Sequence, residues 1–72
     1  MITEKELDKY WGKRVKIILC EDGWTVTGKP YGFTDKLNDP YDRDVLTFES
    51  EPVGHLYDID LKEIKEIIIL DD

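Results

Sequence analysis

Apolar residues fall at every second position through much of this chain. Val15, Ile17 and Leu19 alternate with Arg14, Lys16, Ile18 and Cys20, which predicts a strand over Arg14–Cys20 with one apolar and one mixed face. Glu21, Asp22 and Gly23 follow as a turn, with Gly23 available for positive φ. Trp24 to about Phe33 reads as a second strand, in which Val26, Gly28 and Pro30 share one parity. Gly28 offers no side chain where a strand must bend sharply, and Gly32 is expected to repeat that device. Pro30 lacks an N–H, so its backbone is expected at an unpaired edge or a bulge. The polar stretch Thr34–Asp44, centred on Asn38-Asp39-Pro40, is the longest loop. Val45–Glu51, His55–Asp60 and Lys65–Leu70 return to strand composition. A turn at Pro52-Val53-Gly54 and a single 3₁₀ turn at Leu61–Ile64 separate them. Ahead of the strands, Thr3 and Glu6 have the spacing of a capping box, and Ile2, Leu7 and Tyr10 or Trp11 form an apolar stripe. They predict a short helix over Thr3–Tyr10 that ends near Gly12.

A short helix and five strands, with a 3₁₀ turn between the last two, make a mostly β domain with the pattern of a small SH3-like barrel. At 72 residues the chain holds one domain, with the N-terminal helix in 1–12 and the barrel in 13–70. A domain of this size buries roughly 60% of its unfolded surface, so its stability margin is thin and a deep substrate pocket is not expected. Cys20 is the single cysteine and makes no internal disulfide. No apolar run approaches the ~18 residues of a membrane span, and no leader pattern precedes the fold. These features are those expected of a cytoplasmic protein with no membrane contact.

Charge narrows the partners. Seventeen acidic and ten basic residues give a formal net charge of −7. Nucleic-acid binding draws much of its affinity from neutralised phosphates, and a −7 chain meets repulsion instead. Only Lys13, Arg14 and Lys16 cluster locally, and they read as the solvated face of the first strand.

The stretch Gly23–Asn38 adds the most specific signal. Its glycines at positions 23, 28 and 32, Phe33 and the Leu37-Asn38 pair resemble the first Sm motif, of form G-x-x-x-x-G-x-L-x-G-F-D-x-x-M-N. Ile59-Asp60-Leu61-Lys62-Glu63-Ile64 is similar to the second, I-R-G-x-x-I, in its two isoleucines. The resemblance to the Sm-like family runs from about Val15 to Ile64 and implies a five-stranded bent barrel. It also implies where RNA would sit in such a protein. The aspartate of that pocket is replaced by Thr34, the stacking residue by Lys36, the arginine by Asp60 and the following glycine by Leu61, while Asn38 is kept. Aspartate for arginine reverses a charge beside phosphate and removes a stacking plane. The resemblance therefore implies a binding or assembly module whose RNA pocket is largely lost. The alternative is an RNA binder with a degenerate site around Lys36 and Asn38.

The last strand suggests a partner of another kind. Ile67, Ile68, Ile69 and Leu70 are apolar on both parities, whereas a strand with one wet face alternates. Either the N-terminal helix or another subunit is expected to cover the outer face, where Ile68 and Leu70 become candidate interface residues. Sm-like proteins pair the fourth strand of one subunit with the fifth of the next, so the resemblance implies head-to-tail self-association.

Catalytic and metal chemistry have little to stand on. His55 is the only histidine, and no local motif joins it to Cys20 as a nucleophile pair. Asp35, Asp39, Asp42 and Asp44 crowd one loop without the glycine and terminal glutamate of an EF-hand, and read as a solvated acidic surface. Most aromatic rings read as core or rim packing, with Trp24 and Tyr41, beside turns, the ones expected to be exposed. The expectation is a protein that is not an enzyme, has no cofactor or metal, and has an unidentified protein partner.

Overall fold

The computed structural model describes residues 2–71, with Asp71 described in its backbone alone. Met1 and Asp72, the ends of the expected domain, lie outside the described residues. The chain folds into a short 3₁₀ helix η1 (Lys5–Lys9) and strands β1 (Arg14–Leu19), β2 (Thr25–Thr34), β3 (Val45–Ser50) and β4 (Leu56–Asp60). A three-residue 3₁₀ turn, η2 (Leu61–Glu63), leads into β5 (Ile64–Asp71). All pairings are antiparallel, and the sheet order is β4-β3-β2-β1-β5.

That order and the length of η2 force the sheet to curl. β4 and β5 are its opposite edges, which in a flat sheet lie roughly 19 Å apart, four strand spacings of about 4.8 Å. Asp60 and Ile64 are joined by the three residues of η2, a reach of at most about 14 Å. The two edges therefore approach each other at this corner. Side chains confirm the curl elsewhere: the rings of Trp24, beside β2, and Tyr57, on β4, lie 6.0 Å apart and nearly perpendicular, with β3 between their strands.

The concave face holds the core. Val15 and Ile17 of β1, Leu46 and Phe48 of β3 and Leu7 of η1 are fully buried, and Ile59, Leu61, Ile64 and Ile67 join them in one cluster. The β1 alternation thus lands as its periodicity predicts, with Val15 and Ile17 inside. Val26, Gly28 and Pro30 are likewise buried on their shared parity. The reciprocal bonds of the Thr3–Glu6 spacing are present, with Thr3 N–H donating to Glu6 Oε1 (3.3 Å) and Glu6 N–H donating to Thr3 Oγ1 (3.4 Å), but the N-cap of the helix is Glu4, whose side chain makes no capping bond. The helix is shorter and tighter than expected, a 3₁₀ segment over Lys5–Lys9 in place of a helix over Thr3–Tyr10. Its role is to plug the core with Leu7 and Tyr10.

Two glycines part company here. A Cβ on Gly28 would overlap the carbonyl oxygen of Glu49 and sit 2.9 Å from its carbonyl carbon, so β2 and β3 approach closely only because that side chain is missing. Gly32 makes no such close approach, since nothing lies within 4 Å of a Cβ built there. The second irregularity is a register shift between Pro30 and Gly32, in which Tyr31 is the extra residue. Pro30 sits at this bulge, as its missing N–H requires.

Gly28→Ala is expected to cost about 1–3 kcal/mol through overpacking against the β3 backbone. Gly32→Ala is expected to be neutral or to stabilise by up to about 1 kcal/mol, through the unfolded chain alone. Urea unfolding of the two variants checks this, and equal losses would contradict the assignment.

Candidate functional site

Two grooves open at the ends of the curled sheet. The first, about 330 Å³, lies between the β2–β3 loop and the η2 corner, with the N-terminal segment at its rim. Lys36 and Arg43 line it from the loop, and Asp60 and Lys62 line it from the corner. The resemblance would put a nucleotide pocket here, and Lys36 and Asp60 do share this groove. Asn38 is not part of its lining. Its amide donates to Asp35 Oδ1 (2.9 Å), as do its own N–H (3.1 Å) and that of Leu37 (3.1 Å), so Asn38 serves the turn.

Asp60 and Leu61 carry structural work. Asp60 caps η2, accepting from the Lys62 N–H at 2.9 Å, while Leu61 is 4% exposed in the core and donates its N–H to the Asp44 carbonyl (3.0 Å). A capping carboxylate and a buried leucine build the corner and offer no stacking plane to a base.

The acidic loop is likewise self-consuming. Asp44 Oδ1 accepts from the Lys36 N–H (2.9 Å). Asp39 Oδ2 accepts from the N–H groups of Tyr41 (2.9 Å) and Arg43 (3.0 Å) and from Arg43 Nε (3.3 Å). The Arg43 guanidinium also lies over the Tyr41 ring, 5.1 Å from its centroid. Among the described residues, no group of three His, Cys, Asp or Glu is arranged to hold a metal ion. Arg43, its ring and its carboxylate escaped the sequence reading. The Asp39–Arg43 spacing of four was the available signal, obscured because that spacing implies contact mainly within helices.

Burial of the Asp39 carboxyl acts to raise its pKa, but the Arg43 guanidinium and the two backbone donors outweigh it, and the group is held below its ordinary value. The hydrogen bond to Asp39 in turn raises Arg43, helped by the charges of Asp39, Asp60 and Asp58. On the far side of the sheet Arg14 Nε meets Glu51 Oε2 at 2.6 Å, and that hydrogen bond lowers the Glu51 carboxyl. The one local basic cluster therefore has its arginine engaged in the fold.

The second groove, about 400 Å³, lies beside the β1–β2 turn, where Leu19, Cys20, Glu21, Asp22 and Trp24 face Lys62 and Glu63. Trp24 and Tyr41 are 46% and 74% exposed, as expected from their turns. Tyr31, carried outward at the bulge, is 67% exposed and was not foreseen. Cys20 lies just beyond β1, its Sγ 4.0 Å from the Lys62 carbonyl oxygen, and His55 tilts against Tyr57 just ahead of β4. No contact joins Cys20 to His55 among the described residues.

At the edges, η1 does not cover the outer face of β5, where Ile68 and Leu70 remain 36% and 39% exposed. Ile69, opposite Val15 on the other parity, is also 39% exposed, and on β4 Leu56 and Tyr57 are 56% and 39% exposed. Of the two covers foreseen for this strand, the helix is excluded, because its apolar side chains are spent inside the core. No helix among the described residues is long and apolar enough to cross a membrane.

The chain was compared with known proteins on three levels. No protein-family model matches it, nor does any curated protein or solved structure.

Because the folded pKa of Asp39 is depressed, its tie to Arg43 contributes fully above the unfolded carboxylate value of about 3.9 and is lost as pH falls through the lower folded value. Carboxyl-detected NMR titration should find Asp39 below the ordinary aspartate range in the parent protein. In Arg43→Gln it should move up toward that range. An unchanged titration in the variant would contradict the pairing.

Proposed function

We propose that this chain is a non-catalytic assembly and protein-binding module, an Sm-like five-stranded barrel that associates head to tail through its edge strands. The observation that carries this reading is the pair of unlike edges. β4 and β5 each lack a ladder partner on one side, and each exposes large apolar residues: Leu56 and Tyr57 on β4, Ile68, Ile69 and Leu70 on β5. Such an edge is a template for another strand and a liability if left bare. Pairing β4 of one copy with β5 of the next is a heterologous contact, which closes into a ring if the rotation permits. The bulge that shifts register between Arg14 and Val15 leaves Leu70 as an extra residue near the end of β5, outside the one-to-one ladder with β1. The strand order, the 3₁₀ corner between β4 and β5 and the glycine-permitted close approach at Gly28 are what an Sm-like barrel needs.

Single-stranded RNA at Lys36 and Asn38 is the rival reading. Lys36 does line a groove, but Asn38 is bound into its own turn and the groove carries Glu4, Asp42, Asp44 and Asp60.

Sedimentation or light scattering at several concentrations should give a mass of several chains. The double variant Ile68→Asp with Leu70→Asp should be a folded monomer. Its stability should change little, because substitutions at exposed positions usually stay within about 0.5 kcal/mol. A parent chain that remains monomeric at high concentration would overturn the assembly. Salt-sensitive binding of short uridine-rich RNA, lost in Lys36→Ala, would favour the rival.

A further inference from the structure

The groove beside Trp24 has a composition that the assembly reading does not use. Its lining combines Leu19, Cys20 and Trp24 with the acids Glu21, Asp22 and Glu63 and one cation, Lys62, and no ion pair within the described residues engages the three carboxylates. Both sides of the groove are fixed by backbone. Leu19 N–H donates to the Trp24 carbonyl (2.9 Å) and Cys20 N–H to the Glu63 carbonyl (2.8 Å), which ties the β1–β2 turn to the η2 corner. Asp22 and Gly23 hold that turn with φ of 62° and 64°. Tyr57 packs nearly perpendicular to the indole at 6.0 Å and holds it in place, yet Trp24 stays 46% exposed. A large ring braced on one side, wet on the other and fringed by unpaired carboxylates is complementary to a flat cation.

We propose that this groove binds an arginine side chain presented by a basic segment of a partner protein. The guanidinium stacks on the indole of Trp24 while Glu21, Asp22 and Glu63 supply counter-charge. Arginine suits the site better than lysine, because a planar, weakly hydrated cation both stacks and donates to carboxylates side by side. Phosphate-bearing partners are disfavoured by the same acids. The formal charge of −7 steers basic segments toward the surface generally, and the indole gives this one groove its selectivity. Lys62 opposes the ligand. The inference does not depend on head-to-tail assembly, since peptide binding and particle mass are read separately.

The test uses the full chain and an end-blocked peptide of alternating glycine and arginine, with the citrulline version as the uncharged planar control. Binding is followed by calorimetry, by Trp24 fluorescence in a Trp11→Phe background, and by the alkylation rate of Cys20, which lines the same groove. The arginine peptide should bind more weakly as salt rises, shift Trp24 emission and slow Cys20 alkylation in step with occupancy. Trp24→Ala should weaken binding about tenfold, as expected for a central aromatic contact. Asp22→Asn and Glu63→Gln should each weaken it, and Lys62→Gln should tighten it. Cys20 protection is read on unsubstituted protein, so it holds even if the Trp24 variant folds poorly. Three results would each overturn the proposal: no arginine-peptide binding, equal binding of the citrulline peptide, or binding that leaves Cys20 fully reactive and ignores Trp24→Ala.

Discussion

A three-residue corner sets the shape of this molecule. Leu61–Glu63 joins the two strands that lie at opposite edges of the sheet, so the sheet cannot lie flat. Everything apolar follows from that curl. Phe48, Leu46, Val15 and Ile17 fill the concave face, and Leu7 of the N-terminal turn is buried with them. In a chain of this length there is little apolar surface to spare, and a curled sheet buries one face against itself without needing a second layer. The corner is correspondingly well secured, with Asp60 capping it, Leu61 and Ile64 anchored in the core, and the Leu61 and Cys20 amides bonded across to the Asp44 and Glu63 carbonyls.

The same corner decides what kind of chemistry the surface offers. Asp60 and Leu61 both serve stability, the first as the cap of η2 and the second inside the core. Asp35, Asp39 and Asp44 are spent on backbone amides of the β2–β3 loop. What is left over is the informative part: bare apolar edges on β4 and β5, and an indole with unpaired carboxylates around it.

Much of this was legible in the sequence. Period-two alternation placed β1 and its buried face correctly, because one face of that strand must be apolar. Pro30, through its missing N–H, was expected at an unpaired edge or a bulge and sits at a bulge, and the Thr3–Glu6 spacing located the N-terminal turn. The glycines at 28 and 32 read alike in the sequence, but a close approach to a neighbouring backbone is found at Gly28 and not at Gly32. The helix type was also out of reach: a segment this short is shaped by where Leu7 must reach, and propensity has no say in that. Trp24 meeting Tyr57, and Arg43 meeting Asp39 and Tyr41, were hidden because the first joins residues distant in sequence and the second depends on loop geometry. Sequence alternation specifies which face is buried, but contacts across the curl arise only after the edges have met.

The account stands on the curl, and a single NMR experiment addresses it. In a nuclear Overhauser spectrum of the monomeric edge-charged variant, the Trp24 indole protons should show cross-peaks to the Tyr57 ring, across the intervening strand β3. If cross-peaks appeared only between ladder-paired strands and this contact were missing, the sheet would be open and the curl contradicted.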